Sequence, residues 1–361
     1  MEGGGTERQV IYLVRELIQE GCDVHVAINR GGPNHGALAG TGATIHQLGA
    51  LSNQDPRLLV RLRRTIRSIR PDICQCWLLQ MELLGGLASL ASNLPWIFSE
   101  RSSALAYPPT VKHAVRVRIA SWADAVVSNS AAGDDYWRSR LPAECPRFIV
   151  PNALPLDQIG AVPAATDAEA GARPGEPLIL WAGRLDAGKN AETLVHALAR
   201  LPRGTAFRAL LCGEGPRRAA LETLVAESGL EGRVRIAPYV PNLWSLMKRA
   251  SVLVSVSRFE GSPNVVLEAM AAGCPLIVSD IPAHRELLDD DSAAFTRHDD
   301  VDGVMKQLAA ILSDPAVARR RAGGAGARAQ RYAARLVARQ YLEIYQNVLS
   351  RRGGMATPGI F

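Results

Sequence analysis

The chain has 361 residues, of which 47% are hydrophobic, and it carries a formal net charge of +6. This length suffices for two ordinary domains, each with its own core, and the composition is that of a globular protein. No stretch approaches the roughly 18 uncharged apolar residues that span a bilayer, and the first residues lack the basic start and apolar core of a signal peptide. We therefore expect a cytoplasmic protein.

The cysteine pattern argues against a disulfide framework and against a metal site. The six cysteines are scattered, and only Cys74 and Cys76 lie close together. In a strand these two would point to the same side, too close in sequence for an ordinary paired zinc or disulfide framework. No cluster of His, Cys and acidic residues has the spacing of metal ligands. We expect reduced, packed cysteines and neither a protein-held metal nor another cofactor.

Arginine is concentrated in one stretch, where it alternates with leucine, valine and isoleucine in an amphipathic helical pattern. The arginines are Arg57, Arg61, Arg63, Arg64, Arg67 and Arg70. Such a helix can lie on an anionic membrane, or it can be the solvated face of a domain helix. Nucleic acid is disfavoured as a partner, because no recognised binding motif or aromatic interleaving accompanies the arginines.

The first half of the chain alternates short strands with helices. It opens with a glycine run, in which Gly4 and Gly5 permit close backbone approach to a ligand, and with a helical pattern that ends at Gly21. This alternation predicts a parallel α/β sheet. Strands are predicted at 24–29, 44–48, 73–77, 96–99, 125–128 and 148–150, and further helices near 56–70, 80–93, 111–122 and 131–140.

The second half repeats this pattern after a break. Residues 156–177 are rich in Ala, Pro and Gly without an apolar period, which indicates an inter-domain linker. A second alternating set begins with LILWAGRL at 178, and a final helix is predicted at 332–349. The predicted organisation is a first domain at 1–155, the linker at 156–177, a second domain at 178–330, a helix at 331–350 and a tail at 351–361.

The residues with the clearest chemistry lie at 257–280, which read SRFEGSPNVVLEAMAAGCPLIVSD. Ser262 and Pro263 are predicted as the N-cap and first residue of a helix. Glu260 precedes that helix, and Glu268 lies one turn beyond Asn264 on the same face. Amides at a helix start favour a diphosphate, whereas carboxylates accept hydrogen bonds from hydroxyls, so the combination suits a sugar nucleotide. An ordinary capped helix with acidic residues in its first turn would show the same pattern.

Two strand-to-helix turns precede this stretch. In GRLDAGKN, at 183–190, Arg184 and Lys189 can place two positive charges on a diphosphate; the alternative is a charged surface loop. In CGEGP, from Cys212, the glycines Gly213 and Gly215 let the backbone approach a ligand closely. The alternative is a turn that joins a strand to a helix and binds nothing.

The E-x7-E spacing from Glu260 to Glu268, with its flanking residues FEGSPNVVLEAMAAGCPLIVSD, resembles the signature of glycosyltransferase family 4. GRLDAGKN and the G-x-G-P turn are similar to further motifs of this family, in the expected order. The resemblance implies a GT-B fold: two Rossmann-like parallel-sheet domains facing a central cleft, with a C-terminal helix crossing back to the first domain. In the family a first strand precedes the glycine loop found here at 3–7, so we expect the first domain to lack one strand.

The resemblance also implies roles for individual residues. The catalytic candidates are Arg184 and Lys189, which would hold the donor diphosphate, and Glu260, which would bind hydroxyls of the donor sugar. Glu268 would bind the ribose. Many members carry a histidine after the strand that here reads PWIFSERSS, where this chain has Glu100 and Arg101. The expected nucleotide-sugar-binding residues are Gly4, Gly5, Gly183, Arg184, Lys189, Gly213, Tyr239, Val240, Glu260, Gly261, Ser262, Asn264, Val265 and Glu268.

The implied reaction is a metal-independent transfer that retains the anomeric configuration. An acceptor hydroxyl would attack from the face that the nucleotide leaves, and the departing phosphate would take the proton. We expect a UDP-sugar or GDP-sugar donor and a glycan or lipid-linked acceptor in cell-surface polysaccharide biosynthesis, at the inner face of the plasma membrane. Two alternatives stay open: a GT-B sugar-nucleotide 2-epimerase, and a non-catalytic sugar-nucleotide-binding or scaffold protein.

Overall fold

The computed structural model describes residues 4–50, 52, 55–102, 110–240 and 243–353. The chain divides into two compact units. The first unit comprises Met1–Ala153 together with Tyr332–Phe361, and the second comprises Leu154–Arg331. Helices and strands are numbered below in chain order.

The described part of the first unit contains six short strands in two parallel sheets. One sheet pairs β1 with β2, and the other has the order β3-β4-β5-β6. The strands are β1 (His25–Ile28), β2 (Thr44–Gln47), β3 (Cys74–Cys76), β4 (Trp96–Glu100), β5 (Ala125–Ser128) and β6 (Arg147–Ile149). The helices are α1 (Gly5–Gln19), α2 (His35–Ala39), α3 (Arg57–Ile69), α4 (Leu79–Leu90), α5 (Val111–Ala120), α6 (Ala131–Arg138) and α15 (Ala334–Arg351).

Helices cover both faces of the larger sheet in this unit. Residues of β4 are fully buried, as in parallel strands that lie between two helical layers. On one face α15 packs beside α1, and Tyr341 and Ile344 join Leu13 in one apolar cluster. On the other face α4 approaches so closely that a Cβ on Gly86 would lie 2.7 Å from the ring of Trp96. The final helix of the chain is therefore part of the first unit's core.

The second unit contains one six-stranded parallel sheet, with the order β12-β11-β10-β7-β8-β9. Its strands are β7 (Leu178–Ala182), β8 (Arg208–Cys212), β9 (Val234–Ala237), β10 (Val252–Ser255), β11 (Leu276–Ser279) and β12 (Ala294–Thr296). Its helices are α7 (Leu156–Ala161), α8 (Ala191–Ala199), α9 (Arg218–Glu227), α10 (Leu243–Arg249), α11 (Asn264–Ala271), α12 (Pro282–Arg285), α13 (Val301–Ser313) and α14 (Pro315–Ala329), and a short 3-10 helix (Gln330–Tyr332) precedes α15. Large apolar residues of β7, β8 and β10 form the main core with α8 and α13.

The segment at 156–177, predicted as a linker, lies within the second unit. It contains α7, and polar side chains of α10 anchor it: Lys248 Nζ donates to the carbonyl of Gly160 at 2.9 Å, and Arg249 Nε donates to Asp167 at 2.7 Å. Ile159 and Ala165 of this segment are buried as well, but they are too far apart to form an apolar period.

The predicted strands and helices otherwise agree with the structure to within about three residues at each end, and the short helix α2 was not anticipated. All six cysteines are free. No helix in the described ranges is both long and apolar enough to cross a membrane.

Candidate active site

The strand order of the second sheet changes direction between β7 and β10. From β7 the chain adds β8 and β9 on one side, whereas β10, β11 and β12 lie on the other. Open parallel sheets bind ligands at such a switch point, outside the carboxyl ends of the strands. The two loops that leave these strand ends are residues 183–190, after β7, and residues 256–263, after β10.

Direct hydrogen bonds hold these two loops together. The amide of Arg258 donates to the carbonyl of Gly188 at 2.8 Å. The side-chain amide of the buried Asn190 donates to the carbonyl of Val256 at 3.1 Å and to that of His298 at 2.7 Å. The first loop is further shaped by Asp186, whose carboxylate accepts from the amide of Gly188 at 2.9 Å. The positions of both loops are thus fixed by backbone contacts.

Lys189 and Glu260, both predicted as catalytic, meet across these loops. Lys189 Nζ lies 2.5 Å from Glu260 Oε1, and the two side chains are 31% and 10% exposed. The same carboxylate oxygen accepts from the hydroxyl of Ser257 at 2.7 Å. Arg184 is not part of this contact: its side chain is 73% exposed, and its Nε lies 3.7 Å from the carboxylate of Asp186. A cation and a carboxylate therefore share the switch point, with a second cation on the same loop.

The glycines at the ends of β7 and β8 are required by the packing of their loops. The amide of Gly183 donates to the carbonyl of Cys212 at 3.0 Å. A Cβ on Gly213 would lie 1.8 Å from the carbonyl oxygen of Gly183, and one on Gly215 would lie 2.3 Å from that of Leu185. Only glycine lets the two strand ends approach this closely.

The start of α11 differs from the prediction. Asn264 is its first residue and Pro263 its N-cap, so the assignment of Ser262 as N-cap and Pro263 as first helical residue was wrong. The reason lies in the backbone of Pro263, whose φ of −75° suits a helix but whose ψ of 100° is extended. Its carbonyl accepts the first helix bonds, from the amides of Val266 and Leu267 at 3.1 Å.

The remaining candidates differ in burial and in location. Glu268 is buried one turn into α11, four residues after Asn264. Gly261, Ser262, Asn264 and Val265 are partly buried around the helix start, and Val240 is partly buried beyond β9. Tyr239 is 59% exposed. Gly4 and Gly5 belong to the first unit, where Gly5 begins α1.

In the first unit Glu100 is the centre of a buried ion-pair network. It accepts hydrogen bonds from Arg116 Nη1 at 3.0 Å and from Trp137 Nε1 at 2.9 Å. Arg116 Nε also donates to Glu82 at 2.7 Å, and burial raises the pKa of Glu82 to about 7. Because these partners enclose the Glu100 carboxylate, it serves the packing of α4, α5 and α6 against β4.

Arg101, the other residue at the position where the family often has histidine, packs against α15. Its Nη1 donates to the hydroxyl of Tyr341 at 3.3 Å, Nη2 donates to Asn152, and the guanidinium lies 4.6 Å from the centre of the Trp77 ring. Burial lowers the pKa of Arg101. Arg101 thus joins the carboxyl ends of β3, β4 and β6 to the last helix.

Sequence reasoning missed several polar residues around the switch point. They are Ser257, which bonds Glu260, Asn190, which joins the two loops, and His284, which is buried at the end of β11. Nothing in the spacing of these residues distinguished them, because tertiary contacts between loops create their environments.

Comparison with known proteins places these features in a family. The model of glycosyl transferases group 1 matches residues 164–329, and that of glycosyltransferase family 4 matches residues 3–158. The Campylobacter jejuni enzyme N-acetylgalactosamine-N,N'-diacetylbacillosaminyl-diphospho-undecaprenol 4-alpha-N-acetylgalactosaminyltransferase is 31% identical over 175 residues, 48% of this chain and 46% of that protein. The chain thus spans about half the length of that relative, and about half of the Streptomyces kanamyceticus alpha-D-kanosaminyltransferase.

Two further similarities cover nearly the whole chain. The lipopolysaccharide core biosynthesis glycosyltransferase LpsD of Rhizobium meliloti is 24% identical over 357 residues, 97% of each chain. The structure of Anabaena Alr3699/HepE in complex with UDP and glucose superposes with a TM-score of 0.84 at 18% identity, covering 96% of this chain and 97% of that one. Together the two family matches and the shared fold show that this chain belongs to the group 1 glycosyltransferases of the GT-B fold.

Proposed function

We propose that the chain is a retaining glycosyltransferase that moves a sugar from a nucleoside-diphosphate sugar to an acceptor hydroxyl. The contact between Lys189 and Glu260 at the switch point of the second sheet carries this proposal. An ammonium suits a diphosphate, and a carboxylate accepts hydrogen bonds from sugar hydroxyls. A site that places the two side by side is complementary to the junction between the sugar and the phosphate.

In this proposal Lys189 and Arg184 act on the leaving group. Negative charge grows on the nucleoside diphosphate as its bond to the sugar breaks, and cations already in place lower that barrier. Lys189 is held by its partner Glu260, whereas the exposed side chain of Arg184 is accessible to an incoming phosphate. The two cations supply the charge, and the enzyme works without a metal or other cofactor.

Glu268 and Tyr239 are proposed to serve the nucleoside. A carboxylate can accept hydrogen bonds from both ribose hydroxyls, and Glu268 lies one helical turn into α11, beyond the switch-point loop. Tyr239, which is largely exposed beyond β9, is available to stack on a base. UDP and GDP are the candidate nucleotides, and the presence of UDP in the Anabaena structure favours testing UDP first.

The acceptor is proposed to be a glycan or a lipid-linked glycan at the cytoplasmic face of the plasma membrane. The names of the Campylobacter and Rhizobium relatives point to acceptors of this kind. In the first unit Leu58 and Leu62 of α3 are buried, and the exposed arginines are Arg57, Arg63, Arg64, Arg67 and Arg70. These cations would attract anionic lipid. Sedimentation with vesicles containing phosphatidylglycerol, compared with neutral vesicles, tests the membrane contact.

Nucleotide binding followed by thermal unfolding tests the site directly. UDP or GDP should raise the melting temperature of the wild type, and the shift should vanish in an Arg184→Ala, Lys189→Ala double variant. The matched control is Arg200→Ala with Lys306→Ala, which removes two exposed cations of the same unit, one just after α8 and one in α13. Absence of a shift with either nucleotide would favour the scaffold alternative, and conversion of the sugar nucleotide into its epimer without net nucleotide release would favour the epimerase.

A further inference from the structure

His284 is a fully buried histidine close to the proposed active site. It lies in α12, just after β11, and neither of its ring nitrogens is in contact with solvent. Its Nδ1 lies 2.8 Å from the carbonyl oxygen of Ser279 and 3.2 Å from the hydroxyl oxygen of the same residue. Its Nε2 has no hydrogen-bond partner among the described residues.

These contacts determine which nitrogen carries the proton. A carbonyl oxygen can only accept, so Nδ1 must be the protonated nitrogen that donates to Ser279. The hydroxyl of Ser279 uses its own proton on the carbonyl of Ser257, at 2.6 Å. Its oxygen is therefore available as a second acceptor for the same Nδ1–H, and Nε2 keeps its lone pair.

Hydrogen bonds at Ser279 and Ser257 connect His284 to the Glu260 carboxylate, and within Ser257 the connection runs through its covalent bonds, from the carbonyl to the hydroxyl. His284 Nδ1 lies 3.2 Å from the hydroxyl oxygen of Ser279, and that hydroxyl donates to the carbonyl of Ser257. The hydroxyl of Ser257 then donates to Glu260 Oε1 at 2.7 Å, the oxygen that also contacts Lys189. Ser279 ends β11 and Ser257 follows β10, so these hydrogen bonds join the carboxyl ends of two adjacent parallel strands.

Burial favours the neutral form of the imidazole. Burial, the largest effect, lowers the pKa of His284. The hydrogen bond to Ser279 and the Glu260 carboxylate act in the opposite direction, and the Lys189 ammonium again lowers the pKa.

We propose that His284, neutral and protonated on Nδ1, is a positioning residue that orients Glu260 through Ser279 and Ser257. The inference rests on the proposed function, because Glu260 is the group that would bind the donor sugar. The role belongs to the Nδ1 donor rather than to the shape of the ring. This role predicts that a replacement with a donor at the position of Nδ1 preserves activity, and that a replacement without one does not.

Donor turnover by matched variants tests this role. The side-chain amide of His284→Asn can reproduce the Nδ1–H donor, whereas that of His284→Gln reaches the position of Nε2 instead. We expect His284→Asn to keep kcat within about threefold, and His284→Gln and His284→Leu to lose about tenfold or more, because small displacements of a binding group are costly. His196→Ala, which changes an exposed histidine of α8, is the control. Wild-type kcat in His284→Leu, or equal losses in Asn and Gln variants of similar melting temperature, would overturn the proposal.

A double-variant cycle separates positioning from mere packing. If His284 acts through Glu260, adding His284→Gln to Glu260→Gln should cause little further loss in kcat. If the two losses multiply, His284 does not act through Glu260 and the proposal is wrong.

A measurement without turnover keeps this inference distinct from the proposed function. NMR spectra of the ¹⁵N-labelled wild type should show that the Nδ1 of His284 is protonated and its Nε2 is unprotonated at neutral pH. The ring signals of His284 are assigned by their loss in His284→Asn. Protonation of Nε2 would overturn the positioning proposal whether or not the enzyme transfers sugar. Failure of the wild type to turn over any donor, with the expected tautomer present, would refute the proposed function alone.

Discussion

Replacing Gly213 with alanine should reduce catalysis by displacing the loop that carries Lys189. A Cβ at Gly213 would lie 1.8 Å from the carbonyl oxygen of Gly183, whereas real Cβ contacts essentially never fall below 3.0 Å. The two strand ends must therefore separate by about 1.2 Å. Gly183 begins the loop that bears Arg184 and Lys189, and an error of about 1 Å in such a group costs roughly a hundredfold in rate. We expect kcat/KM to fall by about that factor.

The assay is steady-state nucleotide release, combined with the melting temperature of each variant. Gly323→Ala is the control, because a Cβ at this position in α14 would meet no atom within 4 Å, and alanine favours a helix by up to about 1 kcal/mol over glycine. Its rate should match the wild type. Wild-type kcat/KM in Gly213→Ala would refute the claim that these strand ends set the catalytic geometry.

Three further predictions concern buried or paired charges. Lys189→Met should lower kcat by about a hundredfold or more in the nucleotide-release assay, and Lys306→Met, which removes an exposed lysine, should not; equal rates would contradict the proposed role. Arg116→Met removes the cation that two buried carboxylates share and should cost about 3–5 kcal/mol in denaturant unfolding, so a loss below about 1 kcal/mol would count against the network. Burial raises the pKa of Glu82 from 4.5 to about 7, so the folded state binds this proton more tightly than the unfolded state does. The free energy of unfolding should therefore fall as the pH rises from 4.5 to about 7. Glu82→Gln should flatten that slope, and an unchanged slope would refute the assignment.

The positions of most elements followed from the sequence because each depends on a local pattern. Apolar runs such as those of β4 and β5, bounded by turn residues, have the composition of buried parallel strands, and the structure has them at those positions. The sequence analysis assigned Lys189 and Glu260 to one donor site but did not predict their direct contact. Both residues follow strands that the α/β alternation places in one sheet, where carboxyl ends share an edge.

Features that depend on contacts between distant segments could not be predicted. The segment at 156–177 is held by polar bonds from Lys248 and Arg249, and its few buried apolar residues form no regular pattern. The helix start at Asn264 depends on the ψ angle of Pro263, which the surrounding loop sets. His284 reads as an ordinary histidine in IPAHRELL until β10 and β11 bring Ser257 and Ser279 together.

Retention of configuration is the most direct test of the proposed reaction. The donor whose nucleotide gives the thermal shift, in its α-anomeric form, would be incubated with an acceptor and the product followed by proton NMR before it can equilibrate. We predict an α-linked product together with release of the nucleoside diphosphate. A β-linked product would contradict the retaining mechanism that we propose for the site around Lys189 and Glu260.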